Sequence, residues 1–161
     1  MKIKLFMWQV YHKKILTWEN IRKRGVLGPS KCQLCGEQEE TMEHLLNNCS
    51  FTSGLRDSFA AIFQQTDRNQ RCIISTLTKW RRNFSEYEYL NIAWALLPGF
   101  VIWNVSKERN KRIFKNEKST PNNYLNRSYT RLRKRLVPLL GPPPKNPPSV
   151  EESRILSRLG L

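Results

Sequence analysis

Apolar positions recur at helical spacing along most of the chain. Ile3, Phe6, Met7 and Val10 fall at intervals of three and four, and Leu5 and Trp8 widen the stripe, which predicts a first helix that is largely buried. Thr17 reads as an N-cap, Trp18 to Arg24 as a short second helix and Gly25 as its stop. Beyond residue 49, Leu55, Phe59, Ile62 and Phe63 mark another amphipathic helix, and Ile73, Ile74, Leu77 and Trp80 one more. Helix formers dominate from Glu86 to about Lys118, but Pro98-Gly99 interrupts them, so two helices or one sharply kinked helix are expected. No alternating strand pattern or internal repeat is found, and the fold class is expected to be mainly α.

The chemistry is concentrated in one segment. Cys32-Gln33-Leu34-Cys35-Gly36 is followed by His44 after eight residues and by Cys49 after four more. Two intervening residues let a tight turn aim both thiolates at one ion, and Gly36 allows the positive φ that such a turn needs. His44 reads as part of a short helix from Thr41 to Leu46. Cys49 lies five positions on, about 140° around an ideal α-helix, so the helix is expected to end at Asn47-Asn48 in left-handed geometry and let Cys49 turn back. Three thiolates and one imidazole suit a closed tetrahedral Zn²⁺ site with a structural role. A disulfide beside an ordinary core histidine, or an iron–sulfur centre, would use the same residues. The remaining cysteine, Cys72, is expected to be a small buried apolar residue.

The 161 residues allow one domain with a tail, and their net charge of +15 favours a polyanionic partner. The charge is uneven. Lys107 to Arg135 holds 11 basic side chains and two acidic ones, whereas Lys31 to Cys49 holds Glu37, Glu39, Glu40 and Glu43 against one lysine. The metal loop should therefore repel phosphate and brace the helices, while Lys107, Arg109, Lys111, Arg112, Lys115, Arg127, Arg131, Arg133, Lys134 and Arg135 are the candidate nucleic-acid contacts. They would touch phosphates with little sequence discrimination, with Tyr124 and Tyr129 available to stack on unpaired bases and Asn104 and Asn110 to hydrogen-bond to RNA. Six prolines between Pro138 and Pro148 favour extended polyproline geometry, so the folded domain is expected to end near Val137. The expected organisation is a zinc-binding helical domain over 1–66, a basic, tryptophan-containing helical region packed on it over 67–137, and a proline-rich tail with a short terminal helix over 138–161.

These residues also carry a resemblance. Lys2 to Trp8, Ile15-Leu16-Thr17, Asn20 to Gly25, the Cys32, Cys35-Gly36, Glu40, His44-Leu45 and Cys49 set, Val101-Ile102-Trp103, Lys107 to Asn110 and Phe114 resemble the reverse-transcriptase zinc-binding domain of plant LINE-type, non-LTR retroelement polyproteins. Two tryptophans usual in that family are replaced, with Leu55 and Arg56 near the first position and Ser106 at the second. No polymerase, endonuclease or ribonuclease H pattern accompanies it. The resemblance implies a zinc-braced accessory module associated with nucleic acid, either a retroelement fragment or a retroelement-derived piece recruited into a ribonucleoprotein.

Catalysis is not expected. His12 has no local nucleophile or carboxylate partner, and there is no glycine-rich phosphate loop, so neither an enzyme nor a small-molecule site is read. The sequence instead suggests a non-catalytic RNA-binding subunit of a larger ribonucleoprotein such as an organellar ribosome. The alternatives are a polyprotein fragment bound to element RNA or target DNA, and a protein-interaction or membrane-peripheral module using Trp94 to Trp103, the acidic loop and an apolar patch around Phe100. Leu90 to Val105 is too short and interrupted for a membrane span. Met1 to Val10 lacks a cleavage site, so the protein is not expected to be secreted. A reducing compartment is expected, whether mitochondrial or another organellar matrix, the nucleus or the cytoplasm.

Overall fold

A computed structural model describes residues 2–65, 72–80, 85–141 and 146–161. It is mainly helical, with no strand among the described residues. The elements are α1 (Lys2–Tyr11), α2 (Trp18–Arg22), a single π-turn (His44–Asn48), α3 (Ser50–Ile62), α4 (Ile73–Trp80), α5 (Glu88–Lys115), α6 (Pro121–Leu136), a 3₁₀ turn (Val137–Leu139) and α7 (Val150–Leu159).

α5 is the axis of the molecule. At 28 residues it is about 42 Å long, and α1, α3, α4, α6 and the π-turn all pack on it. Its Leu90, Ala93, Trp94, Leu97, Phe100, Val101 and Val105 are buried. Trp94 lies against Phe63, just past the end of α3, at 4.9 Å and Trp80 of α4 at 5.2 Å between ring centroids, and Phe100 meets Phe59 edge-on at 5.9 Å. By length and composition α5 could cross a bilayer, yet 56% of its apolar window lies inside the fold. Of the two forms expected at Pro98-Gly99, two separate helices are not found: one uninterrupted helix runs through both residues. Pro98 is itself buried, and a Cβ on Gly99 would lie 3.3 Å from Met7 Sδ of α1. Packing on both sides holds the helix where a solvated proline would cost about 3 kcal/mol.

Local chemistry sets the ends. Lys13 and Asn116 take left-handed geometry after α1 and α5, and Asn20 Nδ2 donates to the carbonyls of Lys13 and Ile15 to hold the first turn. Thr120 caps α6, accepting from the Asn123 N–H, with Pro121 at the first helical position. Thr17 stands at the expected N-cap of α2 but makes no side-chain capping bond.

Three expectations need correction. α1 is only half buried: Phe6 and Val10 face the core, but Leu5 is 61% and Trp8 49% exposed, because a ten-residue helix lying on one neighbour can cover only one face. The fold does not end at Val137, since Leu140 is buried and α7 returns to α3 with Ile155, Leu156 and Leu159 inside. α7 is fixed by a complete capping box between Ser149 and Glu152 and by a left-handed Gly160. Trp94 and Phe100 are 1% and 3% exposed, which removes the apolar surface patch expected around Phe100. The boundary expected at residues 66 and 67 and the extended geometry expected of Pro142–Pro144 fall outside the described residues.

Candidate metal centre and its basic flank

The metal loop is built from backbone hydrogen bonds. Cys32 N–H donates to Gln38 O, Glu40 N–H to Ser30 O, and Gly36 N–H to Cys32 O, with Gly36 at φ +75° where a Cβ would be strained. This closes a tight turn over residues 32–36. His44 and Cys49 come from the other side. The return of Cys49 does not use left-handed asparagines: residues 44–48 form a π-turn, in which Cys49 N–H bonds His44 O at 2.7 Å. A five-residue hydrogen-bond step brings position i+5 back over position i, which removes the angular mismatch that an α-helix would impose. Asn47 is fully buried, and its side-chain and main-chain oxygens accept from Thr76 Oγ1 and Arg56 Nη1.

Cys32, Cys35, His44 and Cys49 thus place their four donor atoms within 4.8 Å of one another. Cys32 Sγ and Cys49 Sγ are 3.9 Å apart, far beyond a disulfide of about 2.05 Å and close to the roughly 3.8 Å between two thiolates on one tetrahedral zinc. Cys35 Sγ lies 3.3 Å from His44 Nε2. All four cysteines of the chain are free. Backbone N–H groups of Leu34 and Cys35 point at the Cys32 sulfur, and those of Phe51 and Thr52, at the start of α3, at the Cys49 sulfur. A soft, nitrogen-containing, closed set of four fits Zn²⁺.

The loop is anchored by a group that spacing alone did not reveal. Glu40 is 0% exposed, and its carboxylate accepts Arg109 Nη2 at 2.6 Å, Arg109 Nε at 3.2 Å and Trp18 N–H at 3.1 Å. Arg112, from the next turn of α5, donates to the carbonyls of Gln33 and Leu34, pairs with Glu108 at 3.2 Å and lies over the Phe51 ring. Two arginines of the candidate basic stripe therefore grip the metal loop from inside. Glu40 and Arg109 both stand in the motifs quoted for the family resemblance, and that was the available signal.

Other acids of the loop are occupied as well. Glu43 accepts the Ile73 N–H at the start of α4, and Glu39 pairs with Arg22. Cys72, expected in the core, is instead partly exposed, and its sulfur lies 3.1 Å from Ser75 Oγ and accepts the Ser75 N–H, as a capping side chain would. Those contacts hold its thiol below the ordinary cysteine range.

The remaining candidate cations divide by helix. On α5, Lys111 pairs with Glu117, and Lys107 is half buried over the Trp103 ring. Lys115, Arg127, Arg133, Lys134 and Arg135 are exposed and make no ion pair with the described residues. Arg131 is also exposed and reaches the buried Asn104 Oδ1 at 3.3 Å. The proposed stacking residues are not free: Tyr124 is 3% exposed against Phe51, and Tyr129 packs on Phe59 while its hydroxyl donates to Ser58 O. Asn110 accepts from Arg109, and Asn104 donates to Phe100 O, so both asparagines serve the fold.

Residues 1–55 match the model of a family described as zinc-binding in reverse transcriptase. That segment runs from α1 into α3 and contains all four clustered residues; it stops short of the Trp103 and Arg109-Asn110 segment that the resemblance also covered. No curated protein and no solved structure matches the chain.

Proposed function

We propose that this protein, whose residues 1–55 carry a zinc-binding domain of the reverse-transcriptase type, is a non-catalytic RNA-binding subunit of a larger ribonucleoprotein. Its origin is a retroelement, and an organellar ribosome is the kind of particle that suits it. Zn²⁺ held by Cys32, Cys35, His44 and Cys49 supplies a fixed tetrahedral node with no open position for substrate, and so a brace for the helices around it.

The observation that carries the reading is the outward face of α6, where Arg127, Arg131, Arg133, Lys134 and Arg135 stand exposed without an acidic partner among the described residues. Such a face binds phosphates by counterion release and discriminates little between sequences. The acids of the metal loop lie elsewhere and several are spent internally, which keeps them from cancelling it.

Fluorescence anisotropy of a labelled single-stranded RNA, titrated over a range of salt, tests the reading. Strong binding with a steep salt slope supports it; weak, salt-indifferent binding refutes it. A native pull-down split into RNase-treated and untreated halves then names the particle. Recovery of ribosomal subunits only where RNA is intact supports the assembly. Partners indifferent to RNase, with no RNA bound, would move the function to protein interaction, a second reading favoured by the outward Leu5, Trp8 and Leu16 around α1. Equal or tighter binding of target-like DNA would favour a polyprotein fragment.

A further inference from the structure

The described ion pairs of this protein place each acid beside a cation, for example Arg109 with Glu40, Arg112 with Glu108 and Lys111 with Glu117. Among the cations without such a partner, one is partly buried. Lys107 of α5 is half buried, with its Nζ 5.7 Å from the Trp103 ring centroid and no acidic partner among the described residues. The charged neighbours that act on it are Arg131 and Arg135, one turn apart on α6. Arg131 is steered there by Asn104, which stands one turn before Lys107 on α5, is 0% exposed, and accepts Arg131 Nη1 at 3.3 Å. Asn104 is in turn fixed by donating to Phe100 O at 2.9 Å. The seam between α5 and α6 thus gathers three cations, one of them partly out of water, and orients one of them through a buried amide.

Like charges brought together without a counter-charge destabilise a fold unless an anion joins them. We propose that Lys107, Arg131 and Arg135 form a phosphate-binding site at this seam, which seats the backbone of the bound nucleic acid; the assignment to a backbone rests on the RNA-binding reading above. Asn104 is the positioning residue. The guanidinium of Arg131 provides a planar fork for a phosphate oxyanion and Lys107 a point charge beside it. Burial and the two arginines depress the Lys107 ammonium to about 8 in the free protein, as expected for a site waiting for an anion.

Two measurements on the zinc-loaded full chain test the site. In the first, the pH titration of Lys107 is followed by lysine-selective NMR with and without inorganic pyrophosphate. A rise from about 8 toward the ordinary lysine value of 10.5 is expected; an unmoved titration overturns the site. In the second, binding of single-stranded RNA is compared between two triple variants that remove the same charge from exposed or half-buried positions. One is Lys107→Met with Arg131→Gln and Arg135→Gln; the other is Arg127→Gln with Arg133→Gln and Lys134→Gln. The first should lose affinity on the order of tenfold more than the second, with a salt slope lower by about 2. Equal losses would overturn the site and leave the RNA reading standing, because binding would then be diffuse. A Lys107 response to pyrophosphate in a protein with no RNA affinity would overturn the backbone assignment together with the RNA reading.

Discussion

The last turns of α5 and the whole of α6 use nearly the same residues, yet they do opposite things. Near the end of α5 two arginines turn inward, Arg109 neutralising the buried Glu40 and Arg112 holding two carbonyls of the metal loop, while Lys111 pairs with Glu117 at the surface. Between Arg127 and Arg135 the cations are exposed, with no acidic partner among the described residues. The difference lies in what each helix packs on. The end of α5 abuts a loop rich in glutamates and backbone carbonyls, where guanidinium forks satisfy groups that would otherwise be buried without partners. α6 buries Tyr124, Ser128, Leu132 and Leu136 at helical spacing, and its arginines fall on the remaining faces. Positive charge is structural glue in one helix and free surface in the next.

Breaking the inward side should cost most. Removing zinc with a chelator, or replacing Cys35→Ser, should unfold the N-terminal half, since structural zinc supplies about 10–16 kcal/mol of apparent folding free energy in small peptides. Circular dichroism and melting read this, and unchanged curves in both experiments would sink the structural role of the metal. Glu40→Ala strands a buried guanidinium and should destabilise the fold by about 3–5 kcal/mol in urea titrations. The double change Glu40→Gln with Arg109→Met should recover most of that loss; no recovery would mean that the pair's charge is not what matters.

Lys107 sits between the two regimes and gives a pH signature. Its folded value of about 8 lies below the unfolded 10.5, so both states are protonated below pH 8 and the desolvation penalty is then constant. As pH rises from about 8 to about 10.5 the folded state sheds its proton first, and stability should increase through that window. Lys107→Met should flatten this rise, and an unaltered pH profile of the melting temperature would contradict it. The smallest effect on stability belongs to the outward side. Changing Arg127, Arg133 and Lys134 to Gln should leave the unfolding free energy within about 0.5 kcal/mol of the parent while flattening the salt dependence of RNA binding. A large fall in stability would place these residues in the same class as Arg109.

Spacing was enough to pick out the four residues that cluster at the candidate metal centre, the helical class and the helices of Leu55–Phe63 and Ile73–Trp80, because short-range periodicity and a Cys-x2-Cys turn are local properties. It misjudged what depends on distant neighbours. The helix continues through the buried Pro98, and Met7, some ninety residues earlier, packs against the neighbouring Gly99. Whether Arg109 meets RNA was decided by Glu40. The left-handed end expected at Asn47-Asn48 failed for a subtler reason: the angle was right for an α-helix, but the chain used a π-turn, and Asn47 went to the core to satisfy Arg56 and Thr76. Tyr124 and Tyr129 show the same limit, since an aromatic between arginines looks identical in sequence whether it stacks on a base or on Phe51.

The Glu40–Arg109 contact also sets a timetable. The two residues are 69 positions apart, so during synthesis at about 5–20 residues per second the metal loop emerges roughly 3–14 seconds before its cation does. In that interval the nascent chain can bind zinc but must keep Glu40 in water, with α1 and α3 lacking the helix they will pack on. Completion of α5 supplies both Arg109 and the surface on which α1 and α3 pack, so the first third of the protein cannot finish folding until that helix has left the ribosome.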